Sequence, residues 1–207
     1  MLLVGRDLSP FVRRCGVTLR LYGLPFEQVE YSTATQLEEI RRYNRLGRVP
    51  VLVLDSGENL IDSNAILDYL DEQAGEQRLT PSRGKERRQV LQVIATALGV
   101  AEKAILHSYE RNPAMRDPEH RSPRWLERIF MQAQGGLAAL EEELDDKKWF
   151  LGTKMSQADI TSAVVYDFVR FMIPELLEGE PYPRLAALYG RLSEEEAFQQ
   201  TSLEKYR

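Results

Sequence analysis

The chain is poor in the residues that carry most metal and covalent chemistry. It has one cysteine, Cys15, and two histidines, His107 and His120, among 207 residues. A single thiol excludes an intramolecular disulfide, and the natural expectation is a reducing, cytoplasmic setting. Two histidines and one distant cysteine cannot assemble a tetrahedral zinc site. There is no C-x-x-C pair, G-x-S-x-G elbow, Walker loop or dinucleotide fingerprint. No metal and no tightly bound cofactor is expected.

Long apolar runs are also missing. No stretch approaches the roughly 20 consecutive apolar residues that span a bilayer. The first ten residues include Arg6 and Asp7 and lack the apolar core of an export signal. No excess of positive charge exists either. The net charge is -5 and neither half is basic, which argues against nucleic acid as the main partner. What is present is an ordinary globular share of apolar residues, 43%, in a chain long enough for one large domain or two small ones.

The periodicity changes character near residue 80. Leu2, Leu3 and Val4 form a short apolar run that reads as a buried strand. Pro10 suits a first helical turn, and Phe11, Val12, Cys15, Leu19 and Tyr22 line one helical face up to Gly23. Residues 26–31 alternate as a second strand, and residues 35–44 read as a helix. Residues 51–54 and 60–61 flank the turn of residues 55–58 as a hairpin. Ser63 is a candidate N-cap for a helix carrying Ile66, Leu67 and Leu70. The order is therefore β-α-β-α-β-β-α, which favours a mixed sheet of four strands.

Residues 1–76 are assigned to this first domain and residues 77–84 to a linker. The rest, 85–207, reads as all-helical. Long helices are expected over residues 85–110 and 124–144, separated by a loop with Pro113, Pro118 and Pro123. Ser156 and Asp159 have the spacing of a capping box ahead of a buried helix that runs to about residue 171, and two shorter helical stretches follow. That capping fully accounts for both residues.

These motifs, in this order, resemble the cytosolic glutathione S-transferases. The marks are Ser9-Pro10-Phe11 opening the first helix, Val49-Pro50 before the hairpin, Asp62-Ser63 opening the third helix, and Ser156-x-x-Asp159 in the second domain. The form Ser9-Pro10-Phe11-Val12-Arg13-Arg14 is most similar to serine-type bacterial members. Three departures stand out. Asn44-Arg45 replaces a common Asn-Pro, Asp62-Ser63 replaces a common Glu-Ser, and Ser9 stands where some relatives carry cysteine.

The resemblance implies a thioredoxin-like domain joined to a helical domain, with glutathione as substrate and thiolate conjugation to an electrophile, or peroxide reduction, as the activity. It also implies a homodimer and no membrane. Its glutathione-binding positions here are Ser9, Phe11, Arg48, Val49, Pro50, Asp62 and Ser63. Ser9 would donate its hydroxyl to the glutathione sulfur, aided by the positive end of the first helix, and so favour the thiolate. The plain alternative is a helix cap. A cis Val49-Pro50 bond would turn the Val49 backbone outward to pair with the cysteinyl segment; the plain alternative is a trans proline entering an edge strand.

The helix start at Ser63 would seat the γ-glutamyl carboxylate, with Asp62 taking the ammonium. Arg41, Arg45 and Arg48 share a face if their helix persists. Arg48 is the candidate for the glycyl carboxylate; a solvated face is the bland account of the other two. Cys15, on the apolar stripe, is expected to be packing rather than redox chemistry. An electrophile site between the domains would draw on His107, Tyr109 and Trp125. The arginines of the proline loop, 111, 116, 121 and 124, would form its rim or a solvated connection. The competing reading is a non-catalytic protein of the same fold in a stress or translation-related complex. A reductase or dehalogenase would want cysteine at position 9.

Overall fold

A computed structural model describes all 207 residues. They divide into two compact units, Met1–Ser82 together with Leu192–Arg207, and Arg83–Arg191.

In the first unit, β1 (Leu2–Val4) leads into α1 (Pro10–Leu21), β2 (Glu27–Val29), α2 (Leu37–Arg41), β3 (Val51–Val53), β4 (Asn59–Leu60) and α3 (Ser63–Ala74). The strands lie in the order β2-β1-β3-β4. β1 runs parallel to β2, while β1–β3 and β3–β4 are antiparallel, giving the expected mixed four-stranded sheet. The core joins Leu3 and Leu52 to Val12, Cys15 and Leu19 of α1 and to Ile66, Leu67 and Leu70 of α3. Cys15 is fully buried, and burial pushes its thiol up to about 12, against the pull of the Arg14 charge. At neutral pH it stays a thiol, as a packing residue should.

Gly5 explains how β1 turns into α1. Its φ is +124°, and a Cβ there would lie 2.6 Å from Val12 Cγ2 and 2.9 Å from Val49 Cβ. Only glycine lets the end of β1 approach both elements so closely.

Three expectations need correction. α2 ends at Arg41 rather than near residue 44, so Arg41, Arg45 and Arg48 do not share a helical face. The cause is local. Asn44 is buried and folds the following loop on itself, accepting from Leu46 N–H at 3.0 Å and donating to Arg48 C=O at 2.9 Å. Gly47 then takes a left-handed φ of +65°. Second, the cap of α3 is Asp62, whose carboxylate accepts from Asn64 N–H at 2.8 Å; Ser63 is the first helical residue. Third, residues 192–207 group with the first unit instead of the helical one. Arg13 supplies the reason: it is buried in α1, donates to Thr201 Oγ1 at 3.3 Å and lies over the Phe198 ring.

The second unit consists of α4 (Gly84–Arg111), α5 (Pro123–Leu144), α6 (Gln157–Met172) and most of α7 (Pro183–Ser193); α8 (Glu196–Gln199) belongs to the first unit. By length and hydropathy α4 would pass for a membrane span. Its apolar face, from Val90 and Ile94 through Ala97, Val100 and Ala101 to Ala104, is buried, and the helix packs on α5 and α6. That is the pattern of a core helix. At the start of α6 the Asp159 carboxylate accepts from the Ser156 N–H and hydroxyl, both at 2.8 Å, and from Phe150 N–H at 2.9 Å. Burial holds its pKa above the usual carboxylate range, against these donors.

Candidate functional site

The site is assembled at the C-terminal end of β1. Ser9 caps α1 by position, with an extended backbone (φ -75°, ψ 121°), yet its side chain makes no capping hydrogen bond. Its N–H closes a turn onto Arg6 C=O at 3.0 Å, and its C=O accepts from Arg13 N–H at 2.9 Å. The backbone is thus fully held while the hydroxyl is not used by the helix. No acidic residue occupies the first turn of α1, so its positive end is not neutralised from within. Phe11 follows, half-buried.

The Val49-Pro50 peptide bond is cis. Val49 packs its side chain on the core of the first unit. No backbone hydrogen bond within the chain engages its N–H or C=O. Both groups are therefore available to an extended peptide laid alongside, as in strand addition.

The start of α3 supplies the third part. Ser63 is 1% exposed, and its Oγ has no hydrogen-bond partner in the chain. A buried hydroxyl in that condition is uncommon and calls for an explanation. Ser63 C=O lies 3.8 Å from the Cys15 thiol, which ties α3 to α1. Arg14, fully buried on α1, reaches Asn64 Oδ1 at 2.6 Å. A guanidinium thus lies beneath the first turn of α3 and adds positive potential where the helix N-terminus already favours an anion. Asp62 remains exposed, with one carboxylate oxygen occupied by its cap. Arg48 is exposed beside Val49, whereas Arg41 is paired with Glu38 at 2.6 Å.

Family models match on both sides of the chain: glutathione S-transferase N-terminal domain over residues 3–78 and glutathione S-transferase C-terminal domain over residues 123–191. A solved glutathione transferase family member from Pseudomonas fluorescens Pf-5, with bound glutathione, is 31% identical, with a TM-score of 0.86 and 97% of each chain covered. The chain belongs to the glutathione S-transferase family. A glutathione S-transferase from Methylobacterium radiotolerans, solved with glutathione sulfonate, is 28% identical, with a TM-score of 0.90, and covers 97% of this chain and 93% of that one. Among curated relatives, glutathione S-transferase GstB of Escherichia coli K12 is 29% identical over 202 residues, 94% of each chain.

For this transferase-family chain, the structure brings Ser9, Val49, Pro50, Asp62 and Ser63 into the first unit around α1. It places the other candidates differently. His107 lies in the core of the helical unit, its ring 5.9 Å from Phe130. Burial, then Arg111, lowers its pKa, with Glu175 opposing. Tyr109 and Trp125 are exposed on α4 and α5. The arginine-rich loop is anchored rather than freely solvated. Buried Glu110 accepts from Ser122 N–H at 3.0 Å and from Arg116 at 3.2 Å, and Arg111 pairs with Glu175 at 2.8 Å.

Sequence reasoning missed Asn44 and Arg14. Asn44 carried a signal, since asparagine readily accepts from the backbone N–H two residues on and so forms turns. Arg14 carried none, because a buried arginine inside an Arg-Arg pair looks like any solvated one.

Proposed function

We propose that this protein is a glutathione transferase that ionises the glutathione thiol and passes it to an electrophilic carbon. The observation that carries the reading is the buried Ser63 hydroxyl without a partner at a helix start underlain by Arg14. A ligand carboxylate there would accept from the Ser63 hydroxyl and from N–H groups of the first turn of α3. Asp62 would take the ammonium of the same γ-glutamyl group. The Val49 N–H and C=O would pair with the cysteinyl backbone, and Arg48 would meet the glycyl carboxylate.

That placement delivers the sulfur to Ser9. A thiol with a pKa of about 8.5 is mostly protonated at neutral pH. The Ser9 hydroxyl, donated to sulfur, and the positive end of α1 both stabilise the thiolate, and the proton leaves to solvent. The sulfur lone pair then forms the S–C bond as the leaving group departs with its electron pair. Ser9 is a donor throughout and forms no covalent bond. The relatives' bound glutathione and glutathione sulfonate support this choice of ligand class.

The test is calorimetric titration with glutathione, followed by turnover of a chlorinated aromatic electrophile. Binding at micromolar to low millimolar concentration, weakened in Ser63→Ala, and turnover lost about tenfold or more in Ser9→Ala are the expected results. No heat at several millimolar glutathione would overturn the enzyme reading and leave a transferase-like fold used for protein contacts.

A further inference from the structure

The last residues of the chain reach the loop that carries Ser9. From α8 onward they run along α1: Phe198 under Arg13, Gln200 at 2.9 Å from Arg20 Nε, and Thr201 at 3.3 Å from Arg13 Nε. They end at residues 6 and 7. Lys205 Nζ donates to Asp7 Oδ2 at 2.9 Å and to Glu30 at 2.5 Å. The Arg6 guanidinium lies 5.6 Å from the Tyr206 ring centroid.

Asp7 is the knot of this arrangement. Its carboxyl is 2% exposed. Its other oxygen accepts from Gln28 Nε2 at 3.1 Å, and the same amide donates to Gly5 C=O at 3.0 Å. The segment from Gly5 to Ser9 is therefore held from β2 by Gln28 and from the C-terminal segment by Lys205. Ser9 stands two residues beyond Asp7, with its N–H turned back onto Arg6 C=O. Its hydroxyl has no capping bond to orient it, so the loop backbone sets where it points.

We infer that Lys205 is a positioning residue: by clamping Asp7 it fixes the loop that aims the Ser9 hydroxyl at the glutathione sulfur. Small displacements matter here, since an error of about 1 Å in a reacting group can cost on the order of a hundredfold in rate. The seat at Ser63 lies on α3, outside this loop, so the clamp bears on the thiol far more than on glutathione affinity. A buried carboxylate without its ammonium is also costly, which makes the clamp a two-sided constraint. Burial works against the Lys205 charge, yet its bonds to Glu30 and Asp7 hold its pKa above the ordinary lysine value. The clamp persists through the neutral range.

The inference rests on the glutathione-transferase reading above. The experiment is a cycle of Lys205→Met, Lys205→Arg, Ser9→Ala and Ser9→Ala with Lys205→Met. KM for glutathione, kcat with the electrophile, and the pKa of the bound thiol from the pH dependence of thiolate absorbance are read for each. Expected for Lys205→Met are an almost unchanged KM, kcat down about tenfold and a bound-thiol pKa raised by about one unit, the same factor. Lys205→Arg should restore both. In the Ser9→Ala background the lysine substitution should add nothing, because it acts through Ser9. A Lys205→Met protein with wild-type kcat and thiol pKa, or an equal loss in the Ser9→Ala background, overturns the inference alone. A Ser9→Ala protein with wild-type thiol pKa overturns the transferase reading beneath it.

Discussion

Two serines at helix starts, each near an aspartate, have opposite fates in this molecule. In the helical unit, Ser156 and Asp159 satisfy one another, and the carboxylate also takes Phe150 N–H; its three donors all lie within 2.9 Å. In the first unit, Asp62 caps α3 through Asn64 N–H, and the Ser63 hydroxyl is left buried with no partner. Burial is nearly identical, 0% for Asp159 and 1% for Ser63. The difference is whether the fold completes the polar group's hydrogen bonds. Where it does, the group belongs to stability. Where it does not, a desolvated hydroxyl carries a standing cost that a ligand can relieve.

The sharpest way to break this contrast is Asp159→Ala. It strands Phe150 N–H, Ser156 N–H and the Ser156 hydroxyl together, so a loss of about 3 kcal/mol or more is expected on denaturation. A loss below about 1 kcal/mol would mean the network is not what holds α6. Ser63→Ala should behave in the opposite sense. Glutathione affinity should fall about tenfold, while the free protein keeps or gains stability, because only an unpartnered group is removed. A protein that instead unfolds would place Ser63 in the same structural class as Ser156.

Ser156→Ala is milder. It removes one donor to Asp159 and should cost about 1 kcal/mol of thermal stability, with glutathione affinity unchanged. The smallest effect concerns pH and the helical unit. His107 has a lowered folded-state pKa, so its contribution to stability is fully present above the ordinary histidine value of about 6.5 and is lost as the pH falls toward the folded value. Thermal melts between pH 7 and pH 5 should show this loss, and His107→Gln should flatten it. An unchanged acid limb in that variant would remove His107 from the account.

Much of the fold was legible because local rules and global packing agree. Pro10 does open α1, the apolar stripe through Val12, Cys15 and Leu19 is its buried face, and α4, α5 and α6 follow the helical spacing. The motif positions of the site were legible as a set through family resemblance. Reading failed where a short-range preference met a longer-range demand. The α2 pattern continues to residue 44 in periodicity, but Asn44 is claimed by the loop before Val49. Ser63 is an adequate cap by type, but the carboxylate of Asp62 takes that place. Residues 196–206 look like a continuation of the helical domain, because nothing in their own pattern says which core they join.

The amino-acid order by itself determined most of the elements and the assignment of Cys15 to packing, since these rest on apolar spacing and backbone preferences within a few residues. Tertiary structure alone decided which polar groups are spent and which are left over. It put Arg14 under α3, left the Ser63 hydroxyl unpartnered, and brought Lys205 to Asp7 across 198 residues. Such pairings join segments far apart in the chain, and no local pattern encodes which buried donor will meet which acceptor.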